Sequence, residues 1–492
     1  MALTPSQRAA IRHPIRWLRS TTPGEPGEIP RRELTNYTLG LAGQNNLYGI
    51  AGGRFFHFCT NVLMIDPLVV GKMTGAITVF DALNDPVAGG LIDNYRFKDG
   101  RKLLPWIKLT SLPIAVMAFL LFVNWGFSSP ALRVAYCVAV YVIWDILYSF
   151  QDASLWGMTA AISPLSAQRA RATQWADIGT FLGGLLPGLL MPMLSDGGAF
   201  GLTQQTVYLL FAAVLCLGGG SLVMAALGTT ERVRSLPREE TSVWKNIGAL
   251  RYNYVLLLFL ASEILHKSVP NVEEIYIYQQ LTYRIGGKAV AAGVVVTIFG
   301  ALAGLPGSAI KFAATKIAER VGGMKRVMII SYIAGIAVRV LQFAVGYQTL
   351  PRLALVYLID VIHGLPNGIF GIAMRTMISD SVEYVEWKTG ERTEAITMSV
   401  RNLMSKMSRA VEKFIQGYCL HFLQYDPDRV ARRQPQNAHF HRWVWPVHRL
   451  GQALGMVLAL IPLLLLKYPD SLKAQVEDEM AERRRAVAEE LV

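Results

Sequence analysis

Apolar stretches of about twenty residues, separated by short polar loops, recur along the whole chain, which is close to the length a helix needs to cross the ~30 Å hydrocarbon core of a bilayer. The pattern places spans at about 38–62, 69–92, 103–125, 131–157, 173–195 and 204–228. After an interruption, spans resume at about 252–272, 288–311, 326–347, 351–376, 393–420 and 447–467. The expected fold is an all-α membrane protein of twelve transmembrane helices in two six-helix halves. The chain is divided into an N-terminal segment (1–36), a first half (37–228), a linker (229–249), a second half (250–467) and a tail (468–492). The tail mixes Glu477, Asp478, Glu479 and Arg483 to Arg485 with Ala and Leu, and is read as a helix with a solvated face.

Composition agrees with a membrane class. Hydrophobic residues make up 52% of the 492 residues and charged ones 17%, below the roughly 25% usual in soluble domains. The net charge of +13 raises the question of nucleic acid, but the basic residues cluster in alternate loops: Arg8 to Arg32, Arg96 to Lys102, Arg169 with Arg171, Arg232 to Lys245, and Lys311 to Arg326. That distribution is topological and predicts both termini in the cytoplasm of a multi-pass protein of the plasma (inner) membrane. No nucleic-acid partner is expected. Arg429, Arg432, Arg433 and Arg442 break the pattern on the predicted outer side. The four cysteines, Cys59, Cys137, Cys216 and Cys419, all fall within spans, so no disulfide framework is expected. The first 36 residues lack an apolar core of the signal-peptide kind.

Ionisable residues inside the spans carry the candidate chemistry, because a carboxylate at bilayer depth costs roughly 3 kcal/mol on insertion scales. Asp81 and Asp85 lie one turn apart on span two, continuing a polar stripe begun by Thr74 and Thr78. Asp145, Tyr148, Asp152 and Trp156 share a face of span four. Span eleven presents Asn402, Lys406, Arg409 and Lys413 at spacings of four, three and four, a cationic stripe that would suit an acidic ligand, with Glu412 available to offset Arg409 or Lys413. Arg54, His57, Glu263, His266 and Lys267 are further groups that can line a cavity, with Glu263 placed to pair with Lys267 at i,i+4. Asp360 and Asn367 share a face of span ten. The chain contains no phosphate-binding loop and no metal-ligand spacing of His and Cys, so transport would be driven by a gradient, with no cofactor beyond a coupling ion.

Three stretches resemble the glycoside-pentoside-hexuronide:cation symporter family, which includes the melibiose permease and belongs to the major facilitator superfamily. They are span one with Tyr37, Gly40, Gly43, Asn45 and Gly49; Asp81-Ala-Leu-Asn-Asp85-Pro86 through Asp93 to Gly100-Arg101-Lys102-Leu-Leu-Pro105-Trp106; and Asp380-Ser-Val-Glu383-Tyr384-Val-Glu386-Trp387-Lys388 through Gly390 and Arg392 to Glu394. The resemblance implies that Asp81, Asp85 and Asp145 ligate a coupling Na⁺, Li⁺ or H⁺, with Na⁺ held at Asp81 and Asp85. It implies that Lys406 balances those carboxylates when the ion is absent. Asp93 and Arg101, with Asp380, Glu383, Glu386 and Arg392, are implied as a cytoplasmic gate. Asn45, Tyr148, Asp152, Asn402 and Arg409 are candidates for substrate contact or coupling. The sequence departs from the melibiose permease at Asn45 and Gly179, which replace the acid and arginine that bind a galactosyl group, so an α-galactoside is not the expected substrate.

The expected function is secondary symport of a sugar or glycoside, including an acidic glycoside or uronide, with a Na⁺ or H⁺ gradient, by a monomer that alternates access. Two other readings stand beside it. One is a cation-coupled carrier of lysolipid or another amphiphile; the other is a membrane-embedded aspartyl-type enzyme, which would need its two carboxylates to converge on one water.

Overall fold

The computed structural model describes residues 28–95, 97–98, 100–195, 202–233, 253–278, 281–390, 394–432, 434–466 and several positions between 472 and 482. Most of the expected linker and Arg392 lie outside the described residues. The chain forms two compact units: residues 1–66 with 80–239, and residues 67–79 with 240–492.

In the first unit, helix α1 (Arg31–Asn61) runs into α2 (Pro67–Asn94), whose residues 67–79 belong to the second unit, and continues through α3 (Leu104–Leu120), α4 (Pro130–Ala161), α5 (Ser166–Ser195) and α6 (Gln204–Ala225). α1 packs on α5 and α6, and α3 packs on α4 and α6. The approach of α5 to α1 is backbone to backbone: a Cβ built on Gly183 would lie 2.1 Å from the Ala42 carbonyl oxygen. Close approach of this kind replaces hydrophobic drive as the source of helix association in lipid. Phe58, Phe122 and Tyr208 fill the adjoining core, with the Phe122 and Tyr208 rings stacked at 5.7 Å. His57, expected to line a cavity, is instead fully buried in this core, hydrogen-bonded to the Tyr208 hydroxyl at 2.6 Å and to Asn61 at 2.7 Å.

The second unit contains α7 (Tyr254–Lys267), the short α8 (Glu274–Tyr278), strands β1 (Thr282–Ile285) and β2 (Lys288–Ala291), α9 (Ala292–Ala309), α10 (Ala314–Val321), α11 (Met324–Val345), α12 (Leu350–Thr389), α13 (Glu394–Phe422), α14 (Pro427–Ala431) and α15 (Ala438–Leu465). α11 packs on α12 and α15, and α7 on α15 and α13. Its core gathers Phe259, Met328, Tyr332, Met377, Tyr384 and Met456.

Several boundaries differ from the sequence expectation, each for a local reason. Span seven, expected to reach 272, ends as a helix at Lys267, before Pro270. The start of span eight is an antiparallel hairpin whose two-residue turn is Gly286-Gly287, with φ of +58° and +81°, and Tyr283 donates to the Tyr347 carbonyl at 2.6 Å. The Gly-Gly turn admits the left-handed conformation that joins twisted strands. α12 runs 40 residues, about 60 Å at 1.5 Å per residue, well past the expected end at 376 and twice the hydrocarbon thickness. It stops at Gly390, whose φ of +73° supplies the left-handed C-terminal cap. The arginine-rich loop after α13 is organised by α14, where Asp426 accepts from the Asp428 amide and pairs with Arg429 at 3.5 Å.

The tail is not solvated throughout. Val476 and Met480, one turn apart, are buried in the second unit's core, and Glu479 accepts a hydrogen bond from the Trp387 indole at 2.5 Å.

Five helices among the described residues are long and apolar enough to cross a membrane: Pro130–Ala161, Gln204–Gly228, Met324–Val345, Leu350–Lys388 and Ala438–Leu465. Three of the long helices outside that set, α1, α2 and α13, carry Asn45, the Asp81 and Asp85 pair, and Lys406.

Candidate functional site

α4 supplies the frame of the first unit's polar site, because residues 141, 144, 145, 148, 149 and 152 recur at three- and four-residue spacing on one side of it. Asp145 is 4% exposed and Ser149, one turn on, 3%. The Ser149 hydroxyl donates to Asp85 Oδ1 at 2.8 Å and accepts from Asn84 Nδ2 at 3.0 Å. One hydroxyl thus joins the acidic turn of α2 to the helix that carries Asp145. Among the described residues no three carboxylate, imidazole or thiol groups converge tightly enough to hold a metal ion by themselves. A cation at this place would draw on neutral oxygens as well as carboxylates, as hard cations accept.

Asp152 is held by two donors. Gln44 Nε2 on α1 donates to its Oδ1 at 2.5 Å and the Tyr148 hydroxyl at 3.4 Å, while Gln44 also lies 3.3 Å from that hydroxyl. An aromatic ladder flanks the cluster: Phe55 against Tyr141, Tyr141 against Trp144, Trp144 stacked on Tyr148 at 5.2 Å, and Tyr148 against Tyr48 at 5.2 Å. Asn45 points elsewhere, donating to the Thr180 carbonyl of α5 at 2.5 Å, so Gln44 beside it is the α1 amide that meets the carboxylate. At Gly179 a Cβ would lie 2.4 Å from the Thr38 carbonyl oxygen, so this chain has no room there for an arginine.

At the other end of α2, Asp93 pairs with Lys102 and Arg101 is exposed. The N-terminus of α3 is capped by Glu231, whose carboxylate accepts from the amides of Lys102, Leu103 and Leu104 at 2.9, 2.8 and 2.6 Å. A carboxylate at that position satisfies orphan N–H groups and complements the helix dipole. Arg232 grips Glu33 with two nitrogens at 2.8 and 2.7 Å. Residues 231 and 232, expected in the linker, are therefore fastened to the first unit.

In the second unit, Asp380, Glu383 and Glu386 ride the last turns of α12, each half-buried. Asn253 caps α7 by accepting from Leu256 and donates to Ser381 at 3.2 Å, joining the two helices beside these acids. On α13, Asn402 is exposed while Lys406 and Arg409 are half-buried. The expected pairings on this helix are redistributed. Lys413 pairs with Glu273 at 3.0 Å, and Glu412 pairs with Lys267 at 3.3 Å rather than with Arg409 or Lys413. Glu263 does not pair with Lys267 but accepts from Ser405 Oγ at 2.8 Å.

Of these groups, Glu263, Lys267 and Glu412 border a cavity of about 440 Å³ inside the second unit. Arg339 of α11 reaches it, paired with Asp360 at 2.8 Å and donating to Gln342 at 2.7 Å. Behind it, Glu274 accepts from the Tyr357 hydroxyl at 3.2 Å and from fully buried Arg449 at 3.3 Å. Gln44, Ser149 and Glu231 carry no mark of a site role in the sequence. Arg339 and Arg449 did carry a signal, since each is a lone cation in an apolar run.

Long apolar helices with carboxylates and cations turned into polar clusters define a helical membrane transporter. The family model described as "MFS/sugar transport protein" matches residues 36–469, and the chain belongs to that family. An uncharacterized symporter of Bacillus subtilis (strain 168), YjmB, is 25% identical over 459 residues, covering 92% of this chain and 95% of that one. A lactose permease of Lactobacillus helveticus is 24% identical over 420 residues, covering 80% of this chain; the match spans 63% of the permease's own length. The crystal structure of a D-xylose-proton symporter superposes with a TM-score of 0.59 at 13% identity, covering 88% of this chain and 96% of that one, which supports the fold. The protein is a multi-pass membrane transporter of the major facilitator superfamily, and the enzyme reading is set aside.

Proposed function

We propose that the protein is a secondary symporter that couples entry of a sugar or glycoside to a Na⁺ or H⁺ gradient by alternating access. The observation that carries the reading is the hydrogen-bonded series Asn84, Ser149 and Asp85, with Asp145 buried one turn away on α4. A polar network of this kind is costly in a membrane helix and has a ready use in binding and releasing a cation. Asp81, Asp85 and Asp145 are the proposed cation ligands, and Lys406 the amine that offsets them in the ion-free state. Tyr148 and Asp152, with Gln44 holding the carboxylate, are the proposed substrate contacts of the first unit. Asp93, Arg101, Asp380, Glu383 and Glu386 belong to the proposed cytoplasmic gate. The accompanying topology is twelve spans in two halves, both termini cytoplasmic, in the plasma membrane.

The similarity to a lactose permease supports sugar as the substrate class. The test is uptake by proteoliposomes holding the full chain. Lactose, raffinose, D-xylose and D-glucuronate are each offered under an inward Na⁺ or H⁺ gradient. Accumulation of at least one sugar that collapses when the gradient is dissipated is the expected result. Gradient-driven accumulation of lysophosphatidylglycerol, with none of any sugar, would favour the amphiphile carrier instead.

A further inference from the structure

The second unit's cavity, bordered by α7, α11, α12, α13 and α15, carries polar chemistry that the cation site does not use. We infer that it is a subsite for an uncharged sugar ring. The inference rests on the reading of the chain as a sugar carrier and adds to it a place and a charge class for the ligand.

Three features point to a ring of hydroxyls. First, the volume of about 440 Å³ lies in the range of small-molecule sites. Second, Phe259, Tyr332 and Phe370 line it, with Tyr332 and Phe370 edge to face at 5.0 Å and the His266 ring 5.8 Å from Tyr332. Aromatic faces of this kind cover the C–H face of a pyranose. Third, His266 Nδ1, Arg339 Nε and Gln452 Oε1 are buried against the cavity with no hydrogen-bond partner among the described residues. Buried polar atoms are seldom left unpaired, because an unmade hydrogen bond costs about 1–3 kcal/mol. A sugar hydroxyl both donates and accepts, so it suits a mixed set of an imidazole nitrogen, a guanidinium N–H and an amide oxygen.

The charge balance argues for a neutral ligand over an anion. The two cations on the cavity, Lys267 and Arg339, are already matched by Glu412 at 3.3 Å and Asp360 at 2.8 Å. Glu263 adds a further carboxylate, satisfied by the neutral Ser405 hydroxyl. An incoming uronate would meet the carboxylates of Glu263 and Glu412 on the cavity wall and two cations already engaged, and desolvating it there would lack a compensating partner. Lys413, the outermost member of the cationic stripe on α13, is likewise taken by Glu273.

The test is calorimetric titration of the purified full-length protein with lactose, D-xylose, methyl β-D-glucopyranoside and D-glucuronate, alongside uptake of the same sugars. At least one neutral sugar should bind, with D-glucuronate weaker than the best of them. Gln452→Ala and the shape-conserving His266→Gln should each weaken that sugar about tenfold, as the loss of one hydrogen bond implies, while the half-saturating Na⁺ or H⁺ concentration moves less than twofold. The inference is overturned if D-glucuronate is the preferred ligand, if no neutral sugar binds, or if both folded variants bind as the parent does. Binding that responds to the variants without any gradient-driven uptake would leave the subsite standing and remove the symport reading.

Discussion

The Ser149 hydroxyl on α4 donates to the Asp85 carboxylate on α2 at 2.8 Å and is itself held by Asn84 at 3.0 Å. A hydrogen bond to an ionised group is worth about 1.5–3 kcal/mol, and 1.4 kcal/mol is tenfold in affinity. Ser149→Ala should therefore raise the half-saturating concentration of the coupling ion about tenfold or more while leaving transport possible at high ion concentration. Uptake measured across a range of Na⁺ concentrations and pH values reads this directly, and an unchanged ion dependence would detach Ser149 from the cation site.

Gln44 and Asp152 offer a separate handle, since a 2.5 Å contact between α1 and α4 fixes the carboxylate that we assign to substrate. Gln44→Ala should raise the sugar KM with little change in ion dependence. Gln44→Glu should be worse than the alanine variant, because two carboxylates at that separation cannot both stay ionised and satisfied. Initial rates of sugar uptake for the two variants rank them.

Glu231 caps α3 through three amides, from a position that composition alone assigned to a linker. Glu231→Ala should destabilise the first unit by about 2 kcal/mol, near the upper end for loss of a cap. Thermal unfolding in detergent should show a melting point several degrees lower, and Glu231→Gln, which keeps one acceptor, should recover part of the loss.

Gly183 faces the Ala42 carbonyl with no space for a side chain. Gly183→Leu should force α1 and α5 apart at about 1–3 kcal/mol or more, seen as low yield of folded protein on size-exclusion chromatography. Substitution at Gly89, where a Cβ meets no atom within 4 Å, should be tolerated and serves as the control.

Much of this architecture could be read from the chain because spans are set by composition over twenty residues, a property that survives errors at any one position. Helix α4 is the clearest case: expected at 131–157, it runs Pro130–Ala161. What escaped was set by single residues. Gly286 and Gly287 turn the start of an apolar run into a hairpin, and Gly390 rather than the end of the apolar stretch terminates α12. The chemistry divides in the same way. Asp81, Asp85, Asp145 and Asp152 were visible as carboxylates in apolar helices, whereas Ser149 and Gln44 are ordinary neutral residues whose role appears only when α1, α2 and α4 are brought together. The expected partners of Glu263 on α7 and of Glu412 on α13 were neighbours on the same helix, whereas Glu263 meets Ser405 and Glu412 meets Lys267 across the two helices.

The central claim, that the aspartates of α2 couple ion movement to sugar movement, is tested most directly by Asp85→Asn and Asp81→Asn in proteoliposomes. Two measurements are made on each variant with the same sugar: accumulation under an imposed Na⁺ or H⁺ gradient, and exchange of labelled for unlabelled sugar at equilibrium. The account predicts that accumulation is lost in both variants while sugar exchange or binding persists in at least one. Accumulation at the parent level in both variants would contradict it.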